Sequence, residues 1–251
     1  MLPDFLKEYK EEIDKSKLDI IRIKAIPLKT DKSLSIKRSK LLGLPYLPLT
    51  EQYPINKFGK PLTLFAQINF EEMPTLKNYP SRGIFQVFVS EFFWDCGNEY
   101  FLYKYHQDIT QEHQTDFSFL ENLERYLPIE REHELAFSKE IDYGGEKDFR
   151  FHLTFNGISF DDFRNKLSGD ELKQFDKLFN PSGHKIGDYA YFTQCDPRKD
   201  VPERINDVLL LQIDSDEKIM WGDAGISNIF INADDLKNRR FYKSYFNWDC
   251  A

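Results

Sequence analysis

Four polar residues stand at matched places on two apolar runs. Gln67 and Asn69 belong to Leu64-Phe65-Ala66-Gln67-Ile68-Asn69, and Gln212 and Asp214 belong to Leu209-Leu210-Leu211-Gln212-Ile213-Asp214. Alternate residues of an extended chain share a face, so each Gln lies beside its Asn or Asp. Burying such groups without partners is unfavourable. They therefore tie down neighbouring loops or meet in one polar cluster that takes a ligand. Trp221-Gly222-Asp223-Ala224-Gly225 sets a carboxylate beside an indole. That pattern could suit a ligand cleft, but the reading preferred is a turn in which Gly supplies positive φ and Asp bonds its own backbone. His184, between Gly183 and Lys185, is the one histidine whose setting singles it out, either in a site or as a hydrogen-bonded loop residue.

Other reactive patterns carry less. Asp214, Asp216 and Glu217 have the oxygen density of a cation loop but lack the glycine and distal glutamate of a calcium hand. Trp94-Asp95-Cys96 and Trp248-Asp249-Cys250 repeat a tripeptide, yet an adjacent carboxylate raises a thiol's pKa and so does not activate it. No phosphate-binding glycine loop, dinucleotide fingerprint, nucleophile elbow or paired-histidine zinc helix occurs. No metal, no cofactor and no catalytic residue is assigned, and the balance leans away from an enzyme.

The elements that must position these residues read mostly as strands. Ile20 to Ile26, Thr63 to Asn69, Ile84 to Val89, Tyr100 to Tyr105, Val208 to Asp214 and Ile226 to Ile231 are strand candidates, with Lys218 to Trp221 a short return. Phe5, Tyr9 and Ile13 mark an opening helix behind Pro3. Leu120, Leu123 and Leu127 predict a helix stopped by Pro128. Ser159 with Asp162, and Ser168 with Glu171, predict two short capped helices, and Asn232 with Asp235 a third over Leu236. Runs of strands with helices grouped between them predict an α+β fold dominated by antiparallel meanders.

The chain also resembles itself. Lys40-Leu41-Leu42-Gly43 matches Lys185-Ile186-Gly187, the two Gln-containing blocks match, and Gly83 to Val89 matches Gly225 to Ile231, all in the same order. This predicts an internal duplication: a first α+β half at 1–110, an acidic connecting segment at 111–149 and a second half at 150–251, packed into one core.

Of 251 residues, 41% are hydrophobic and 30% charged, which excludes a disordered or collagen-like chain. The net charge of −8 argues against nucleic acid or an anionic membrane as partner. Charge is unevenly placed: seven bases lie between Arg22 and Lys40, and twelve acids between Asp108 and Asp148. Three scattered cysteines, an opening without an apolar leader and no apolar run long enough for a bilayer predict a reduced, cytoplasmic protein.

The blocks Ser39-Lys40-Leu41-Leu42-Gly43-Leu44-Pro45-Tyr46, Gly59-Lys60-Pro61-Leu62, Ala66-Gln67-Ile68-Asn69-Phe70, Gly183-His184-Lys185-Ile186-Gly187 and Trp221-Gly222-Asp223-Ala224-Gly225 resemble the YwqG-like family of bacterial proteins, whose function is unknown. Leu42-Gly43 and Gly187-Asp188 depart from the paired glycines common in that family, and Tyr53-Pro54 from its Trp-Pro. The resemblance implies a duplicated α+β fold and supplies no reaction. With 39 aromatic residues and no catalytic constellation, the chain reads as a macromolecular interaction protein, with an immunity or toxin-antagonist role as one form. The alternative is an enzyme or small-ligand binder with a polar cleft between the halves, built from Gln67, Asn69, His184, Gln212, Asp214, Trp221 and Asp223.

Overall fold

A computed structural model describes residues 2–29, 32–95, 97–121, 123 and 126–251. The strands are β1 (Leu18–Pro27), β2 (Lys40–Leu41), β3 (Thr63–Asn69), β4 (Ile84–Val89), β5 (Phe101–His106), β6 (His133–Asp142), β7 (Thr154–Phe155), β8 (Ile158–Ser159), β9 (Lys185–Ile186), β10 (Asp207–Asp214), β11 (Ile226–Asn232) and β12 (Tyr245–Asp249). The α-helices are α1 (Lys10–Ser16), α2 (Phe160–Arg164), α3 (Gly169–Leu178) and α4 (Ala233–Lys237).

The alternating residues of β1 pair antiparallel with β6 along its whole length, from Leu18 opposite Asp142 to Pro27 opposite His133. This pair is the centre of a ten-stranded sheet, ordered β12-β11-β10-β9-β1-β6-β2-β3-β4-β5. The order reads alike from either side of the centre. A first arm (β2 to β5) extends from β6, and a second arm (β9 to β12) extends from β1. In each arm the long strand after the two-residue strand carries an irregularity, between Leu64 and Ala66 in β3 and between Leu209 and Leu211 in β10. Such a bulge increases local twist, which curls a sheet.

The curl brings the two edges together. Phe101 of β5 stacks on Phe246 of β12 with centroids 4.3 Å apart, and the Trp248 indole nitrogen donates to the Trp94 carbonyl at 3.0 Å. The two copies of the Trp-Asp-Cys tripeptide therefore meet at this seam, although Cys96 itself lies outside the described residues. The result is a nearly closed barrel whose interior is filled from both arms and the central pair by Ile21, Phe65, Phe85, Leu211, Trp221 and Ile229. A second apolar cluster lies apart from it, where Leu6 and Ile13 of the N-terminal helical segment pack with Phe155, Phe163, Phe175 and Phe179.

The expected α+β class is therefore corrected to a predominantly antiparallel β fold. The capped helices do form, but none exceeds ten residues among those described, and they sit beside the barrel rather than forming a layer. The decisive strand, β6, lies inside the stretch read as an acidic segment. Most of its residues are solvent-accessible to some degree, so His133-Glu134-Leu135-Ala136-Phe137-Ser138-Lys139-Glu140 carries charge where a buried strand would carry aliphatic residues. Of the helix expected around Leu120, the described residues show only a 3-10 turn, Ser118–Leu120. The short return at Lys218 to Trp221 does not pair with β10. Ile219 instead forms an isolated bridge with Ile129.

Candidate functional site

Gln67 and Gln212 are both fully buried, and each fastens the loop of its own arm. Gln67 Oε1 accepts from the Tyr46 amide at 2.9 Å, and its Nε2 donates to the carbonyls of Ile36 at 2.7 Å and Arg38 at 2.8 Å. Gln212 Oε1 accepts from the Tyr191 amide at 2.8 Å, and its Nε2 donates to Pro181 at 3.0 Å and Gly183 at 2.8 Å. The amide is suited to this work because it donates and accepts at once. Asn69 donates to the Lys37 carbonyl at 3.1 Å, and Asp214 accepts from the Gly183 amide at 2.6 Å. The four residues share no hydrogen bond across the arms, and no common polar cluster forms among them.

His184, Gln212 and Asp214 do lie together. The Asp214 amide donates to His184 Nδ1 at 2.9 Å, which puts the ring proton on Nε2, 3.0 Å from Asp216 Oδ2. Both ring nitrogens are committed, leaving neither for proton transfer to a ligand. Burial pushes the Asp214 carboxyl up, against the pull of the Gly183 and Ser215 amides. Burial acts the same way on Asp216, but the His184 hydrogen bond and the amides of Lys218 and Ile219 outweigh it and hold that carboxyl down. The Asp214 and Asp216 oxygens thus serve the backbone, and no group of three or more metal-ligating side chains is gathered among the described residues.

Trp221 is fully buried between the arms. Its ring lies 5.7 Å from Phe65 and 5.9 Å from Trp94 on one side, and 5.8 Å from Phe246 on the other. Its indole nitrogen is buried without a hydrogen-bond partner among the described residues. Asp223 is exposed, and its side chain makes no hydrogen bond among the described residues; only its carbonyl accepts, from the Ala251 amide at 3.3 Å. The two members of that motif are therefore separated by the turn, one in the core and one in solvent.

Charged groups not singled out from the sequence form the strongest buried polar assembly. Asp148 accepts from Arg150 Nη2 at 2.7 Å, Arg198 Nη2 at 2.8 Å and the Ala190 amide at 2.7 Å. Arg198 grips Asp196 at 2.6 Å, donates to the Asp207 carbonyl at 3.2 Å and covers the Phe230 ring at 4.4 Å. Burial alone would raise the Asp148 carboxyl, but the two guanidinium groups hold it well below the usual carboxylate range. A signal was present: Asp148-Phe149-Arg150 and Asp196-Pro197-Arg198 repeat an Asp-x-Arg spacing. In each copy the aspartate accepts from both the backbone amide and the side chain of its arginine at 2.9 Å. Two fully buried lysines complete the pattern, Lys185 on Asp142 at 2.5 Å and Lys40 on Glu132 at 3.4 Å.

The surface differs between the arms. Ile55, Phe58, Phe92, Phe119 and Tyr126 are exposed large apolar side chains of the first arm and its flanking loops. Phe58 and Phe92 touch edge to face at 6.4 Å, and Phe119 meets Tyr53 at 5.0 Å. A groove of about 390 Å³ runs beside them, lined by Pro61, Glu91, Phe93, Leu123 and Tyr126. The same loops carry the exposed acids Glu51, Asp95, Glu99, Glu112, Asp116 and Glu121, against the bases Lys57 and Lys60.

Among the described residues no helix is long and apolar enough to cross a membrane. Cys195 and Cys250 are free thiols. No curated protein matches the chain. Residues 39–250, which span both arms and the central strand β6, match a domain of unknown function, DUF1963, and the chain belongs to that family.

Proposed function

We propose that this protein works by binding another protein, through the apolar and acidic surface of its first arm. The observation that carries this reading is an asymmetry: Phe58, Phe92, Phe119 and Tyr126 are exposed on the first arm and its flanking loops, against Tyr242 on the second. The arms share strand order, bulges and glutamine staples, so the fold does not require the rings of Phe58, Phe92, Phe119 and Tyr126 to face solvent on one arm. Contiguous exposed aromatic side chains mark interaction surfaces. The surrounding acids favour a partner that presents basic and apolar residues, with charge accelerating the encounter. A toxin-antagonist role in a reducing cytoplasm is one form of this reading, and the narrower likeness to the YwqG-like proteins belongs with it.

Cross-linking in native cells, followed by titration of the purified partner, tests the reading. Phe58→Ser with Phe92→Ser is expected to weaken binding about a hundredfold, the loss of a central pair of anchors. Higher salt is expected to slow association. A partner whose affinity ignores both changes, or a chain that only associates with copies of itself through this surface, overturns it.

A further inference from the structure

The arms diverge at one place that faces a cavity. After the buried lysine strand, the first arm turns through Leu42 and Gly43 with φ of 60° and 82°, and the second through Gly187 and Asp188 with φ of 90° and 68°. Glycine suits 43 because a φ of 82° strains any side chain, and a Cβ there would also have to displace the Glu132 carboxylate. At 188 the second arm instead holds an aspartate in the left-handed region, which aspartate enters more readily than most side chains. Arg150 Nη2 clamps the Asp188 carbonyl at 2.5 Å.

Asp188 borders a cavity of about 410 Å³, open to solvent on one side and lined by Leu76 and Tyr79 from the first arm, Val208 from β10 and Leu236 from α4. Its carboxylate has no hydrogen bond and no ion pair among the described residues. The nearby cations are engaged elsewhere: Arg150 on Asp148, Lys185 on Asp142 and Lys17 on Asp14. Of the other charged groups bordering the cavity, Asp19 pairs with Lys139, and Lys77 is exposed. Tyr79 is protonated and donates to the Leu209 carbonyl, and Tyr189 nearby is pushed up to about 12 by burial. Burial raises the Asp188 carboxyl to about 7, with Asp142 and Asp148 adding to the rise and Arg150 and Lys185 opposing it. A half-buried carboxylate without a hydrogen-bond or ion-pair partner among the described residues, at the wall of a pocket that also presents Leu76, Val208 and Leu236, is a site for a positive group.

We propose that this cavity binds a small organic cation, a primary ammonium on a short apolar body, with Asp188 as its counter-charge. The ammonium donates to the carboxylate, and the hydrocarbon lies against Leu76, Val208 and Leu236.

Calorimetric titration with hexylammonium, 1-hexanol and hexanoate tests this. Hexylammonium is expected to bind at least about tenfold more tightly than either analogue, and Asp188→Asn to lose about tenfold in its affinity. Asparagine tolerates the left-handed backbone, so this variant is expected to fold. In the unmodified protein, affinity is expected to rise from about pH 6 to about pH 8, as Asp188 ionises while the ammonium stays charged. Leu76→Trp, which fills the cavity and keeps the carboxylate, is expected to abolish binding. Equal binding of hexanol, tighter binding of hexanoate, no binding of hexylammonium at millimolar concentration, or binding that survives Leu76→Trp or Asp188→Asn overturns the proposal.

Discussion

Gln212 makes in the second arm three hydrogen bonds that Gln67 also makes in the first: one accepted from a tyrosine amide, and two donated to carbonyls just upstream of the buried lysine; Gln67 accepts a further one from Gln86 Nε2. Each residue lies opposite that lysine in the sheet, Gln67 across from Lys40 and Gln212 across from Lys185. The glutamine fixes the chain on both sides of a two-residue strand too short to hold itself.

Replacing either glutamine by alanine is therefore expected to destabilise the fold by about 1–3 kcal/mol for each buried group left without its partner. Denaturant melts of Gln67→Ala and Gln212→Ala check it. Similar losses at the two positions are expected, and a loss confined to one would show that the staples are not equivalent.

Trp221→Ala is expected to lower stability by about 3–5 kcal/mol, the range for emptying a large aromatic site. Because its nitrogen has no acceptor among the described residues, Trp221→Phe should cost distinctly less than Trp221→Ala. Asp223→Ala, on an exposed side chain without a hydrogen bond, should fall within about 0.5 kcal/mol of the parent. Melting midpoints of the three variants decide the ranking.

Breaking one buried ion pair should be far worse than removing it whole. Asp142→Leu alone strands the Lys185 ammonium and is expected to cost about 3–5 kcal/mol, while Asp142→Leu with Lys185→Met should recover much of that. A double variant no better than the single one would mean that the pair is net stabilising.

Asp188 gives a pH signature of definite sign. Its carboxyl is raised to about 7 in the fold from an ordinary value of 3.8, so between those values the unfolded chain has released a proton that the folded chain retains. Its contribution to stability thus declines as pH rises through that window. Measured against Asp188→Asn, the parent should lose stability from about pH 4 to about pH 7, and a difference that grows with pH would contradict the assignment.

The matched glutamine blocks were legible because a polar residue on an apolar strand must find partners, and the partners turned out to be backbone. Strands β3, β4, β10 and β11 were legible for the same reason that they are buried: their aliphatic residues have nowhere else to go. Strand β6 was not, because a half-exposed central strand such as Lys139-Glu140-Ile141-Asp142 keeps the charges that elsewhere mark a loop. Asp188 was invisible as a candidate because its importance lies in what fails to touch it. Its arginine clamp was overlooked although Asp-x-Arg occurs at both Asp148 and Asp196.

The seam between β5 and β12 gives the barrel a particular kind of weakness. Elsewhere around the sheet, neighbouring strands are joined by backbone ladders, whereas here the described contacts are mainly rings, Phe101 on Phe246 and Trp94 against Trp248, with the Trp248 indole donating to the Trp94 carbonyl. Apolar contact loses strength on cooling. Low temperature, rather than heat, is then the stress that singles out this line, parting the edges along the seam while the ladders of both arms remain intact.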